Sequence, residues 1–157
     1  CMQSLKAKGL SVHGLIVGEV HPKKQAFLSV LKNRITDLGL DDDITFTGHR
    51  SDLQNVLASS NIVLSLAKIP EAFGRTTIEA LSMGIPVIGY NHGGVAEQLA
   101  ITFPEGQVSV GDTQAVVDKI ILWQQDMPKV NTLHPFTLQL MCEQTLQIYQ
   151  ALCEEKP

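Results

Sequence analysis

The sequence predicts an α/β fold, a Rossmann-like doubly wound parallel sheet, and three observations carry that expectation. Short apolar runs of strand length alternate with segments whose apolar residues recur at three- and four-residue steps, the alternation of α/β proteins. The runs are apolar at consecutive positions, which suits strands buried on both faces and therefore parallel. At 157 residues and 44% apolar content the chain can bury one core without disulfides or metal, so a single domain over residues 1–157 is expected.

The opening Cys1-Met2-Gln3-Ser4-Leu5-Lys6-Ala7-Lys8-Gly9 reads as the second half of a helix ending at a glycine cap, so the domain is expected to be truncated at its N-terminus. Val12-His13-Gly14-Leu15-Ile16-Val17 makes a buried strand closed by Gly18. Pro22 then opens a helix in which Phe27, Leu28, Leu31, Ile35 and Leu38 share a face before Gly39. Ile44-Thr45-Phe46-Thr47, β-branched and aromatic, forms a second strand ending at Gly48, after which Ser51 caps a short helix bearing Leu53, Val56 and Leu57. Ile62-Val63-Leu64-Ser65-Leu66 is the third strand. Beyond a loop with Pro70, a helix runs from Arg75 to Met83 and stops at Gly84 and Pro86. Val87-Ile88-Gly89-Tyr90 is the fourth strand, Asn91-His92-Gly93-Gly94 a turn, 95–99 a single helical turn, and Val108-Ser109-Val110 a weak strand. Asp112 or Thr113 caps a helix with Val116, Val117, Ile120, Ile121 and Trp123 on one stripe. A loop bracketed by Pro128 and Pro135 leads to a final helix over 137–153. That helix is expected to pack on the domain through Leu138, Met141, Thr145, Ile148 and Leu152.

Composition removes several function classes. A net charge of −4 and a pI near 5.7 argue against nucleic acid or an acidic membrane as partner of the whole surface. No run reaches the roughly 18 apolar residues that span a bilayer, and no signal-peptide pattern opens the chain, so a soluble protein is expected. Three cysteines without Cys-x-x-Cys spacing point to a reducing compartment and no structural metal. Cys142 and Cys153 are eleven apart on one helix, about 16 Å, too far to bridge.

In such sheets ligands lie outside the carboxyl ends of the strands, so the loops after Val17, Thr47, Leu66 and Tyr90 are the places to search. After the third strand the chain reads Ile69-Pro70-Glu71-Ala72-Phe73-Gly74-Arg75-Thr76-Thr77-Ile78-Glu79-Ala80-Leu81. Gly74 permits close backbone approach. The N–H groups of Arg75, Thr76 and Thr77, at the positive end of a helix, suit a phosphate. Glu71 in the loop and Glu79 one turn into the helix flank that cradle. A carboxylate there repels a phosphate unless aimed elsewhere, and paired sugar hydroxyls are natural donors to it. The combination suits a diphosphate between two polyhydroxy groups, a nucleotide sugar. The competing reading is that Glu79 complements its own helix N-terminus and Glu71 is a solvated loop residue.

The run from Glu71 through Ala72-Phe73-Gly74-Arg75-Thr76-Thr77-Ile78-Glu79-Ala80-Leu81-Ser82-Met83-Gly84-Ile85-Pro86-Val87 to Ile88, followed by Gly93-Gly94-Val95-Ala96-Glu97, resembles a known family. It is similar to the Glu-x7-Glu signature and Gly-Gly-x-x-Glu turn of the retaining GT-B glycosyltransferases of family 4. Leu15-Ile16-Val17-Gly18, Leu38-Gly39-Leu40, Ile44-Thr45-Phe46-Thr47-Gly48 and Asn61-Ile62-Val63-Leu64 fall in the family's order and spacing, so the likeness covers residues 5–125. The resemblance implies the C-terminal, donor-binding half of a GT-B architecture, lacking its first strand. It implies transfer of a hexosyl group from a nucleotide-diphosphate sugar to an acceptor hydroxyl with retention, without metal or other cofactor. By the same resemblance Glu71 is the catalytic residue at the hexose, Phe73 and Gly74 give backbone contacts, Arg75, Thr76 and Thr77 face the phosphates, and Glu79 holds the ribose. The family's phosphate-binding Arg and Lys belong to a first strand-to-helix region that no segment here matches. The chain alone is therefore expected to be inactive. The acceptor, a saccharide, lipid-linked sugar or other hydroxyl, would be bound by the missing N-terminal domain, and the protein would be cytoplasmic, with peripheral membrane association through that domain left open.

Other residues have two readings each. Gly18-Glu19 follows the first strand and faces the expected donor cleft. Gly48-His49-Arg50 is placed to meet the base, or is a solvated loop. Glu97 lies near the sugar, or caps its turn. Lys68 reads as a surface lysine, His92 as a turn residue, and Trp123 and Phe136 as packing. Competing functions are a nucleotide-sugar epimerase on the same fold and a binding module that holds a nucleotide sugar without transferring it. A dinucleotide dehydrogenase is disfavoured, because no Gly-x-Gly-x-x-Gly follows a strand, and no Walker-type loop occurs.

Overall fold

The computed structural model describes residues 1–154. Its elements are α1 (Met2–Ala7), β1 (Gly14–Val17), α2 (Gln25–Asp37), β2 (Ile44–Gly48), α3 (Leu53–Ala58), β3 (Val63–Ser65), α4 (Arg75–Ser82), β4 (Val87–Tyr90), α5 (Gly93–Thr102), β5 (Gln107–Val108), α6 (Thr113–Gln125) and α7 (Leu138–Glu154). Every ladder is parallel: β1 pairs with β2, and β4 lies between β3 and β5. Parallel neighbours need crossovers, and α2, α4 and α5 supply them. The chain is thus α/β with parallel sheets, as its alternation predicts.

The residues group into two compact units, Cys1–Ser59 with Asp112–Met127, and Ser60–Gly111 with the chain from Pro128 onward. In the first unit, Leu5, Ile35, Leu40, Leu57, Val116 and Val117 are buried, and Lys6 is fastened to the Gly39 carbonyl at 2.8 Å and to Asp43. Asp112 caps α6 by accepting from the Ala115 N–H at 2.9 Å, one of the two caps expected. In the second unit β4, flanked on both edges, is buried at all four positions. α5 lies against it: a Cβ on Gly89 would come within 2.7 Å of Val95 Cγ1 and 2.8 Å of Leu99 Cδ1, so these helix side chains rest on the bare backbone of the strand.

Several expectations are corrected. The first strand begins at Gly14, not Val12, and Leu15, Ile16 and Val17 are 45%, 39% and 38% exposed rather than buried. A consecutively apolar strand implies cover on both faces, but these three side chains, which alternate between the faces, each stay more than a third exposed. Pro22 opens a single 3₁₀ turn, Pro22–Lys24, before the α-helix proper. α3 takes Asp52, not Ser51, at its N-cap, with the Asp52 carboxylate engaged by Arg50. The third strand keeps three of its five residues, and the last is Gln107–Val108 rather than 108–110. The single turn at 95–99 is a ten-residue helix, because His92 is extended and Gly93-Gly94 already belong to α5. In α7, Thr137 accepts from the Leu140 N–H at 3.2 Å, but none of the helix's residues is buried, so its apolar stripe faces solvent instead of packing.

Candidate functional site

The candidate site belongs to the second unit and is built where the loop after β3 turns into α4. Gly74 is the N-cap of α4 at φ +76°, ψ 59°, a left-handed conformation that L side chains avoid. A Cβ there would also come within 2.7 Å of Val95 Cγ2. Turning at Gly74 lets its carbonyl accept the Thr77 N–H at 3.0 Å, closing the first helical turn. Thr77 therefore does not offer its amide to a ligand, as the sequence suggested. The N–H groups of Arg75 and Thr76 find no acceptor among the described residues, and they point out of the helix N-terminus. The Thr77 side chain lies at the same turn. It is 1% exposed, and its Oγ1 has no hydrogen-bond partner among the described residues. A cleft of about 280 Å³ opens here, lined by Val63, Leu64, Ser65, Leu66, Ala67, Glu71, Thr76 and Thr77.

Glu71 is exposed at the cleft, its Oε2 3.5 Å from where a Cβ on Gly74 would stand. Glu79 sits one turn into α4 and meets the guanidinium of Arg75 at 3.4 Å, with the Arg75 side chain 84% exposed. So loose a pair yields easily to better donors. The helix end thus has free N–H groups, with the Glu71 carboxylate near Gly74 and the Glu79 carboxylate beside Arg75.

α5 supports the loop from beneath. The Gly94 N–H donates to the Glu71 carbonyl at 2.8 Å, and Gln98, fully buried, donates through Nε2 to the Phe73 carbonyl. A Cβ on Gly94 would strike the Ala72 carbonyl and come within 2.7 Å of Phe73 Cα, so the Gly-Gly pair is what lets helix and loop touch. Gln98 was not legible beforehand: beside Glu97 it reads as a surface residue, and only its position on the buried face of α5 distinguishes it. Glu97 itself is exposed. His92 is a turn residue as expected, donating from Nε2 to the Ala67 carbonyl at 2.8 Å. The ring of Phe73 meets Phe136 edge-on at 6.0 Å.

In the first unit, Gly18 and Gly48 come together at the carboxyl ends of β1 and β2, with the Gly18 N–H donating to the Gly48 carbonyl at 3.0 Å. His49 and Glu19 are exposed. Arg50 is bound to both carboxylate oxygens of Asp52 at 2.8 and 2.7 Å; that hydrogen-bonded pair raises the Arg50 pKa and lowers the Asp52 pKa. Lys68, Cys142 and Cys153 are exposed, while Trp123 is buried. Among the described residues no three His, Cys, Asp or Glu side chains are grouped to hold a metal ion, and no helix is long and apolar enough to cross a membrane.

The family model of the glycosyl transferases group 1 matches residues 1–135. The chain belongs to the group 1 glycosyl transferases. This glycosyl transferase domain is 32% identical over 112 residues to the N-acetyl-alpha-D-glucosaminyl L-malate synthase of Bacillus anthracis, covering 71% of the chain and 28% of that relative. A crystal structure of a glycosyltransferase from Rickettsia africae superposes with a TM-score of 0.85 at 28% identity, over 98% of this chain and 43% of that one. Anabaena HepE, crystallised with UDP and glucose, superposes with a TM-score of 0.69 at 29% identity, over 73% of this chain and 31% of its own. The chain spans under half the length of each of these relatives.

Proposed function

We propose that this glycosyl transferase domain is the donor-binding half of a retaining, metal-independent GT-B enzyme of family 4. It would act in the cytoplasm, moving a hexosyl group from a nucleotide-diphosphate sugar to an acceptor hydroxyl. The observation that carries the reading is the free helix N-terminus of α4, with the buried, unpartnered Thr77 hydroxyl at its first turn and Glu71 and Glu79 on its flanks. Free amides and the helix dipole favour the diphosphate, and Glu79 can exchange its weak pairing with Arg75 for ribose hydroxyls. Glu71 orients the hexose, and the amides beyond Gly74 stabilise charge developing on the β-phosphate as the sugar departs. Glu97, in the same unit as α4, joins the donor contacts, and Gly18 and Gly48 are the donor-contact candidates of the first unit. That Anabaena HepE was crystallised with UDP-glucose supports a nucleotide sugar as ligand. The acceptor belongs to the part of the relatives that this chain does not span, so the 157-residue chain binds donor without transferring it.

Calorimetric titration of the chain with a panel of nucleoside diphosphates and their sugars tests this, repeated with Glu79→Ala. Selective binding of one nucleotide, weakened about tenfold by the substitution, is expected. Absence of binding across the panel, or sugar transfer by this chain alone, would overturn the proposal in its donor or its acceptor half respectively.

A further inference from the structure

We infer that Gln98 is a positioning residue of the donor loop: its buried amide, with the Gly94 N–H, holds the Phe73 and Glu71 carbonyls against α5 and so turns the N–H groups of Gly74 and Ala72 outward, toward the β-phosphate and hexose. The inference rests on the nucleotide-sugar reading above.

The argument begins with the peptide group. No peptide bond in the described residues is cis, and in a planar trans peptide the carbonyl and the following N–H point in opposite directions. Gly94 draws the Glu71 carbonyl toward α5, so the Ala72 N–H of the same peptide faces away from that helix. Gln98 does the same to Phe73, and the Gly74 N–H faces away likewise. Neither outward N–H has an acceptor among the described residues. With the amides of Arg75 and Thr76 they make a run of donors from the loop into α4.

Gln98 supplies something that an apolar side chain would not. It is 0% exposed on the face of α5 where Val95 and Leu99 pack. Its Oε1 is buried without a partner, a deficit that a methionine of equal length would avoid. Among the described residues the one polar contact of its side chain is to the Phe73 carbonyl. The bare backbone of Gly93 and Gly94 beneath the loop leaves no side chain to take over that duty.

The test compares Gln98→Met, which keeps length but removes the donor, with the unsubstituted chain. UMP, which has neither β-phosphate nor hexose, is titrated beside UDP-glucose, and the melting temperature is recorded. Gln98→Met should lower UDP-glucose affinity about tenfold while UMP affinity stays within about twofold, a split that a general loss of stability does not produce. Equal weakening of both ligands with a lower melting temperature, or no weakening of either, would overturn the inference. The Phe73 carbonyl ¹³C shift, read without ligand, separates the two levels. An upfield move in Gln98→Met is expected; an unmoved shift sinks the positioning role whatever binds. A moved shift in a chain that binds none of the panel of nucleoside diphosphates and their sugars sinks the nucleotide-sugar reading instead.

Discussion

Thr77 is 1% exposed with an unpaired Oγ1, and leaving a hydroxyl in that state costs about 1–3 kcal/mol. Thr77→Val keeps the shape and removes the deficit, so its melting temperature is expected at or above that of the unsubstituted chain, while nucleotide affinity falls about tenfold. A variant both less stable and unchanged in binding would show that the hydroxyl serves the fold. The places of Glu71, Gly74 and Glu79 around the start of α4 were legible in the sequence, because a helix start is marked by residue type and a carboxylate spacing is a fixed number of turns. That the Thr77 amide is spent on the Gly74 carbonyl was not, since it depends on the left-handed turn at Gly74. Arg50 and Asp52 give a pH dependence of known sign. The hydrogen bond from Arg50 depresses the Asp52 pKa below its usual 3.8, so the pair contributes stability above that value and loses it as pH falls through the depressed titration. The effect is small, both groups being well exposed, and a carbonyl-detected titration of Asp52 should show the midpoint below 3.8 and an upward move in Arg50→Gln.

α5 carries most of what the site requires of the fold. Its inner face packs Val95 and Leu99 on the buried strand β4, and its first turn and Gln98 seat the loop. Leu99, at 0% exposure, makes that packing: Leu99→Ala should cost about 2–5 kcal/mol in chemical denaturation, and nucleotide affinity should drop with it because loop and helix move together. This element was also the one the sequence concealed. Asn91-His92-Gly93-Gly94 has the composition of a turn, and glycines are poor helix formers. Here close approach to the loop outweighs that propensity, and the helix begins at the glycines themselves. All five strands were placed within two residues of their bounds, but β5, with two residues and little periodicity, shares only Val108 with its expected span.

At the scale of the molecule, alternation of strands and helices predicted parallel sheets because a parallel pair demands a crossover, and that logic does not depend on any single boundary. Burial was less legible. Leu15-Ile16-Val17 has the composition of an enclosed strand, yet a sequence cannot say how many neighbours a strand has. The consequence reaches beyond the fold to how the protein behaves in a tube. A strand that pairs with β2 alone among the described residues, and whose Leu15, Ile16 and Val17 are half-exposed, suits a template for a further strand. At rising concentration the chain should form light-scattering assemblies that bind thioflavin, and Ile16→Lys should suppress them while leaving the buried core of β4 untouched. Equal scattering from the substituted chain would exonerate β1. Low concentration or fusion to a solubilising partner would then act in part by shielding three residues, Leu15 to Val17, beside the exposed stripe of α7.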